Sequence, residues 1–211
     1  MRSNGRIGLP IAIFFLAHAR RSKLRLNDLD VLTLSCCGRF LRMASITAVL
    51  HTENDALRLG RALETLYACD EIVVVDHGSR DGTVRVAREY GARVVSERSG
   101  ASPGDYLQFA KAGFTKAESG WILCLDPRES VTEKLAASLF EWKSEAGRSN
   151  AASASAFSFF LREETAEGWV EVPFAQTRLV PPTWKLWKGN FPAQEPSAIA
   201  LEGELLRFVF P

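Results

Sequence analysis

Two short runs of this chain carry the side chains best placed to do chemistry. Asp76 closes the apolar run Ile72-Val73-Val74-Val75 and is followed by His77-Gly78-Ser79-Arg80-Asp81-Gly82-Thr83. Asp126 closes Trp121-Ile122-Leu123-Cys124-Leu125 and is followed by Pro127-Arg128-Glu129. A short β-branched or continuously apolar run suits a parallel strand covered on both faces. In open α/β sheets ligands bind beyond the carboxyl ends of such strands, so a strand-terminal aspartate faces the place where a nucleotide would lie. Gly78 supplies a permissive backbone at the turn, and Ser79 or Asp81 can cap the helix that follows; capping alone would explain Asp81. The Arg128 guanidinium has the fork geometry that pairs with phosphate oxygens, and Arg80 or Lys111 could add a second positive group. A plainer reading pairs Arg128 with Glu129 or leaves it in solvent.

These residues need elements to position them, and from Met43 onward the pattern alternates strand and helix. A strand over 45–50 leads through the polar turn 51–55 to a helix with Leu59, Leu63, Leu66 and Tyr67 on one face. The strand 72–76 is followed by a helix over 82–90, which stops before Gly91, and by a third strand over 92–96. Beyond a loop of small residues, 105–117 reads as a helix and 121–125 as a fourth buried strand. Ser130-Val131-Thr132-Glu133 reads as a capping box opening a helix with Leu135, Leu139 and Trp142 on one face. Tyr67, Trp121 and Trp142 are read as core residues. This order implies a mostly parallel sheet flanked by helices, and right-handed crossovers put Asp76 and Asp126 on the same sheet edge. A low-complexity linker over 147–155 separates this half from a small strand-rich part, with strands over 156–161, 169–172 and 205–210.

The chain has 211 residues, a formal net charge of +1 and 46% hydrophobic residues. That suits one α/β domain with a proper core and gives no global attraction to nucleic acid. The four cysteines show no metal-binding spacing, and Cys69 and Cys124 read as buried thiols of a reducing compartment. The three histidines make no metal cluster. Residues 1–42 do not match the rest: Arg2 and Arg6 precede an apolar run that is signal-like and too short to span a bilayer. The preferred reading is that synthesis starts at Met43, that 1–42 is a non-domain extension, and that the domain is 43–211. An export signal and a short membrane-associated anchor are the alternatives.

The run from Asp70 to Thr83 resembles the first nucleotide-binding motif of family 2 glycosyltransferases, and 121–129 resembles the Trp-led strand with Asp-x-Asp-Glu of the same family. The resemblance covers most of 43–211 and lies nearest the branch that modifies bacterial lipopolysaccharide cores. It implies a Rossmann-like sheet of the GT-A type with an acceptor-side lobe. It further implies inverting transfer of a sugar from a nucleoside diphosphate sugar, a UDP-sugar first among them, to a glycan or lipid-linked acceptor in the cytoplasm, at the inner face of the membrane. Nucleic acid is not a partner. On that pattern Glu53, Asp76, Gly78, Ser79, Asp81, Lys111 and Asp126 border the nucleotide sugar, while Glu53 or Asn54 meets the base. Capping by Asn54 or Asp55 and a solvated Lys111 are the plain alternatives. Glu195, in Phe191-Pro192-Ala193-Gln194-Glu195, is the implied base, with Gln194 where the family carries His; a surface glutamate is its bland reading. Arg207 stands where a second His would fall. A divalent metal, Mg²⁺ or Mn²⁺, would sit at Asp126, but Arg128 replaces the second aspartate and a guanidinium binds no metal ion. Arg128 would instead neutralise the departing diphosphate. A catalytically silent relative that binds nucleotide or a partner is the alternative function. A nucleotidyltransferase ranks last, because the turn at 51–55 has neither glycine nor a basic residue.

Overall fold

The computed structural model describes residues 44–96, 120–146 and 154–210. All of them belong to the second of the two units into which the chain divides, Met1–Phe40 and Leu41–Pro211. The expectations for 1–42, for the helix at 105–117 with Lys111, and for most of the linker lie outside the described residues.

The first half runs β1 (Ser45–Thr52), α1 (Ala56–Glu64), β2 (Glu71–Asp76), α2 (Thr83–Glu89), β3 (Arg93–Ser96) and β4 (Gly120–Leu125). β1 pairs in parallel with both β2 and β4, and β2 with β3. Then come β5 (Glu129–Val131), α3 (Glu133–Ala146), β6 (Phe157–Thr165), β7 (Gly168–Glu171), β8 (Gln176–Val180), β9 (Trp187–Lys188), β10 (Phe191–Pro192) and β11 (Ile199–Arg207). These strands extend the same sheet, in the order β3-β2-β1-β4-β8-β6-β11-β5 with β7 on β6, while β9 and β10 form a separate ribbon. β8 joins β4 and β6 antiparallel, and β11 runs parallel to β6. The strand-rich half is thus a continuation of the α/β sheet, not a separate layer.

Alternation along the strands divides the core between the two faces. Ile46, Ala48, Leu50, Val74, Leu123 and Leu125 face one side and pack with Leu59, Leu63, Leu135 and Leu139 of the helices. Val49, Val73, Val75, Ile122, Cys124 and Val180 face the other, against Trp184, Trp187 and Phe191. Trp121 and Trp142 meet edge-to-face at 5.3 Å, as core aromatics do. Away from the strand carboxyl ends, buried Lys143 ties α3 to the start of β2: its Nζ donates to Asp70 at 2.7 and 2.8 Å and to the Ala68 carbonyl at 3.1 Å.

Three local expectations need correction. Tyr67 lies beyond the end of α1 and is 57% exposed, beside the surface ring of Phe140 at 6.1 Å. The periodic face ends because the chain turns after Thr65, burying Leu66 and Ala68 and leaving Tyr67 outside. The capping residue of α3 is Thr132, whose Oγ1 accepts the Leu135 N–H at 3.3 Å; Ser130 belongs to β5. Strand β11 begins six residues earlier than its apolar run suggested, at Ile199 in place of 205. Its glycine explains the irregularity: Gly203 has φ +98°, and a Cβ there would fall inside the Leu135 backbone at the start of α3. Only glycine allows that approach. Among the described residues no helix is long and apolar enough to cross a membrane.

Candidate functional site

The strands β2, β1 and β4 lie side by side and in parallel, so Asp76, the turn after Thr52, and Asp126 emerge together at their carboxyl ends. The two turns that follow β1 and β2 are stitched to each other. Asn54 adopts φ +58°, donates its N–H to Ser79 Oγ at 2.9 Å and accepts the Arg80 N–H on Oδ1 at 2.9 Å. Asp81 accepts the N–H groups of Thr83 at 2.9 Å and of Ala56 at 3.1 Å, so it serves the first residues of both α1 and α2. The hydrogen bond from the Thr83 hydroxyl is the largest influence holding the Asp81 carboxyl below its usual range. Asp55 precedes α1 but does not cap it with its side chain, which accepts the Glu53 N–H at 3.0 Å instead. Glu53 is exposed on this turn, and Gly78, with φ +91°, makes the reversal after β2.

Asp76 is 5% exposed. Among the described residues its donor is the Ser79 N–H, shared between the two carboxylate oxygens at 3.2 and 3.3 Å. A carboxylate can accept several hydrogen bonds, and a buried one is costly to leave short of them. Its register partner on β1 is Thr52, whose buried Oγ1 also lacks a partner among the described residues. This row therefore holds unmet hydrogen-bonding capacity at the strand ends. On the opposite face His51 Nδ1 and His77 Nε2 lie 3.0 Å apart. Burial, with His77 adding to it, pushes the His51 imidazole down to about 4.

At the end of β4 the carboxylate of Asp126 is gripped by Arg128. Nε donates to Oδ1 at 2.9 Å, Nη2 to Oδ2 at 3.0 Å, and the Arg128 N–H to Oδ1 at 2.9 Å. Burial works to raise the Asp126 carboxyl, but these bonds outweigh it and hold the group below the usual carboxylate range. Arg128 pairs with Asp126 and not with Glu129, and its side chain remains 42% exposed. Glu129 is fully buried and structural: Oε2 accepts the Asp126 N–H at 3.0 Å, and Oε1 accepts Arg178 Nη2 at 2.8 Å and Arg207 Nη2 at 2.7 Å. Arg178 is 4% exposed and its guanidinium lies 4.1 Å from the Phe191 ring centroid. Burial pulls its pKa down, against the opposing pull of Glu129. The register of β8 against β6 slips at Arg178, the kind of bulge that re-aims a side chain. The Phe208 N–H holds the Arg128 carbonyl at 3.0 Å.

β8 begins beside the carboxyl end of β4, and Glu195 is tied to that start by its N–H, which donates to Thr177 Oγ1 at 3.0 Å. Gln194 holds the same strand edge, accepting the Thr177 N–H at 2.7 Å. The Glu195 carboxylate accepts the Ser197 hydroxyl at 2.6 Å and its N–H at 3.1 Å, and these bonds hold it below its usual range. It borders a cavity of about 320 Å³ lined with Ser158, Phe174, Gln194, Pro196 and Ala198. The structure thus brings Glu53, Asp76, Gly78, Ser79, Asp81, Asp126 and Arg128 to one sheet edge, with Glu195 in the loop after β10, tied to the start of the neighbouring strand β8, while Lys111 lies outside the described residues. Arg178 was missed. The signal available was a lone arginine inside the apolar strand Thr177-Arg178-Leu179-Val180, which demands a buried acid. The His51–His77 pair was missed because the two lie 26 residues apart.

Residues 47–154 match the model of a known family, Glycosyl transferase family 2. An uncharacterized glycosyltransferase of Rickettsia felis is 33% identical over 94 residues, 44% of this chain and 32% of the relative. A TPR repeat-containing protein of Synechococcus elongatus is 30% identical over 135 residues, 64% of this chain and 30% of the relative. The match spans about a third of the length of these curated relatives. Among solved structures, glucosyl-3-phosphoglycerate synthase from Mycobacterium tuberculosis, in complex with Mn²⁺, UDP and glucosyl-3-phosphoglycerate, is 17% identical with a TM-score of 0.37. That likeness covers 56% of this chain and 43% of the synthase.

Proposed function

This chain belongs to glycosyl transferase family 2, and on that premise we propose that it transfers a sugar, with inversion, from a nucleoside diphosphate sugar to a glycan or lipid-linked acceptor. The observation that carries the reading is Asp76: a carboxylate 5% exposed at a strand end, with one backbone donor among the described residues. The N–H of a pyrimidine base or a ribose hydroxyl would supply what it lacks, which favours a UDP-sugar. The side chains of Ser79 and Asp81 are engaged in stitching the two turns, so they shape this pocket and Glu53 closes its rim. Asp126 and Arg128 then face the diphosphate.

Inverting transfer needs a base on the acceptor side, and we assign that role to Glu195, which borders the 320 Å³ cavity. The Ser197 bonds go to Oε1 and lower the carboxyl's basicity, so Oε2 would be the oxygen that takes the proton of an acceptor hydroxyl. The cavity's small apolar and amide lining suits one sugar ring of an acceptor. We add to this reading a cell-envelope role and a site of action at the cytoplasmic side of the membrane.

The test is incubation of the full chain with a panel of nucleoside diphosphate sugars, following release of the free nucleoside diphosphate by chromatography. Release from one uridine donor, lost in Asp76→Asn and in Glu195→Gln, is expected. Tight UDP binding without release from any donor and acceptor would favour a silent nucleotide-binding relative, a reading supported by the replaced motif positions at Arg128, Gln194 and Arg207.

A further inference from the structure

A divalent metal at the end of β4 would have to be held by Asp126, and the residues there do not fit one. Hard cations need free carboxylate oxygens and several more oxygen ligands around them. Both oxygens of Asp126 are taken by the Arg128 fork, at 2.9 and 3.0 Å. The next acid, Glu129, is fully buried and engaged by two arginines and a backbone N–H. Among the described residues no group of three His, Cys, Asp or Glu side chains is placed to hold a metal ion.

The charge at this point is balanced, without the excess of carboxylates that a metal-binding pocket presents. Within the Asp126–Glu129 loop and its ion-paired partners, three guanidiniums (Arg128, Arg178, Arg207) meet three carboxylates (Asp126, Glu129 and Glu163, the last 3.8 Å from Arg207). The Asp126 fork uses Nε–H and one N–H of Nη2, which leaves both hydrogens of Nη1 and the second of Nη2 uncommitted among the described residues. The Arg128 side chain is 42% exposed, so those donors reach the open side of the strand ends. Arg207, 22% exposed, stands behind it on Glu129, and its buried Nε has no partner among the described residues. Asp126 fixes the direction of the Arg128 plane, and Glu129 fixes the loop that carries both.

We propose that Arg128, oriented by Asp126 and backed by Arg207, supplies the positive charge for the departing diphosphate, so that donor binding and sugar transfer proceed without a divalent metal. The inference rests on the nucleoside diphosphate sugar reading given above. In the transfer step the bond between the sugar anomeric carbon and the β-phosphate oxygen breaks, and its electron pair stays on that oxygen. The acceptor oxygen bonds to the anomeric carbon from the opposite side, and its proton passes to the carboxylate base. The negative charge that develops on the diphosphate is met by the outward N–H groups of Arg128, a fixed donor fork that needs no reorganisation.

The test is calorimetric titration of the full chain with UDP and, separately, with uridine, in EDTA and in excess Mn²⁺. Wild-type protein is expected to bind UDP equally under both conditions, within about twofold. Arg128→Ala is expected to weaken UDP binding by about tenfold to a hundredfold, the range for hydrogen bonds between charged groups, while leaving uridine binding unchanged. Arg128→Asp, which restores the second acidic position, is expected to lose metal-free UDP binding and to regain it with Mn²⁺. The side chain is part-exposed, so both variants are expected to fold, which thermal melts check. Wild-type UDP binding that appears only with Mn²⁺, or metal-free binding indifferent to Arg128→Ala, would overturn the inference and leave the glycosyltransferase reading standing. No UDP binding under any condition would overturn both.

Discussion

Removing Glu129 should destabilise this fold more than removing most single side chains. Glu129 is 0% exposed and neutralises Arg178, itself 4% exposed, and Arg207, 22% exposed. In Glu129→Ala the Arg178 guanidinium stays inside, stacked on Phe191, with its Nε short of a partner among the described residues and the carboxylate that it bonds to there gone. Stranding a buried charge in this way costs about 3–5 kcal/mol. The whole stability of such a domain is about 5–15 kcal/mol. At about 2–4 °C per kcal/mol for a domain of this size, the melting temperature should fall by roughly 6–20 °C. Glu129→Gln, which keeps the shape and one acceptor, should fall between that value and wild type. The assay is urea unfolding with unchanged slope, run also on Arg178→Met and on the Glu129→Gln/Arg178→Met pair. Because the two groups face each other, the double variant should cost less than the sum of the singles, by about 1–3 kcal/mol. A loss under about 1 kcal/mol for Glu129→Ala, or strict additivity in the cycle, would refute the claim that a buried ion cluster supports the Asp126–Arg128 loop.

Gly203→Ala should destabilise by about 2 kcal/mol or more, from the left-handed backbone and the collision with Leu135 together, as read by thermal melting; a change within about 0.5 kcal/mol would show that β11 need not approach α3 so closely. Asp81→Ala should cost about 1 kcal/mol and loosen both turns, which amide hydrogen exchange at Asn54 and Ala56 would report as faster; unaltered exchange would mean the stitching does not hold them. His51 is held near 4 in the fold against an ordinary 6.5, so the unfolded chain binds its proton first. Stability from this group is full above about pH 6.5 and is lost as pH falls toward 4, by up to about 3 kcal/mol at the bottom of that window. His51→Gln should flatten the dependence between those limits, and a slope left intact would place its origin elsewhere.

The parallel half of the fold was legible because every strand shows a β-branched or apolar run, and β2 and β4 are marked a second time by the aspartate that closes the run. The same periodicity failed where a turn intervened, as at Tyr67, and where a strand lies too short to show alternation, as at β5 and the β9–β10 ribbon. β8 escaped because Thr177 and Arg178 interrupt its apolar pattern for reasons that exist only in three dimensions: one holds Glu195 and the other answers Glu129. In the candidate site, Asp76 and Asp126 could be placed from topology alone. That Arg128 would close on Asp126, and Glu129 turn inward to two arginines from β8 and β11, depends on contacts 49 and 78 residues away in the chain. No local spacing encodes such contacts.

The most direct measurement of the central claim, that the carboxyl ends of β1, β2 and β4 form a nucleotide site around Asp76, is UDP binding by wild-type protein and by Asp76→Asn. The asparagine keeps the shape and an acceptor for Ser79 but loses the charge. Saturable binding to wild type, weakened by about tenfold or more in a variant with an unchanged melting temperature, is the expected result. No binding to wild type, or equal binding by both, would contradict it.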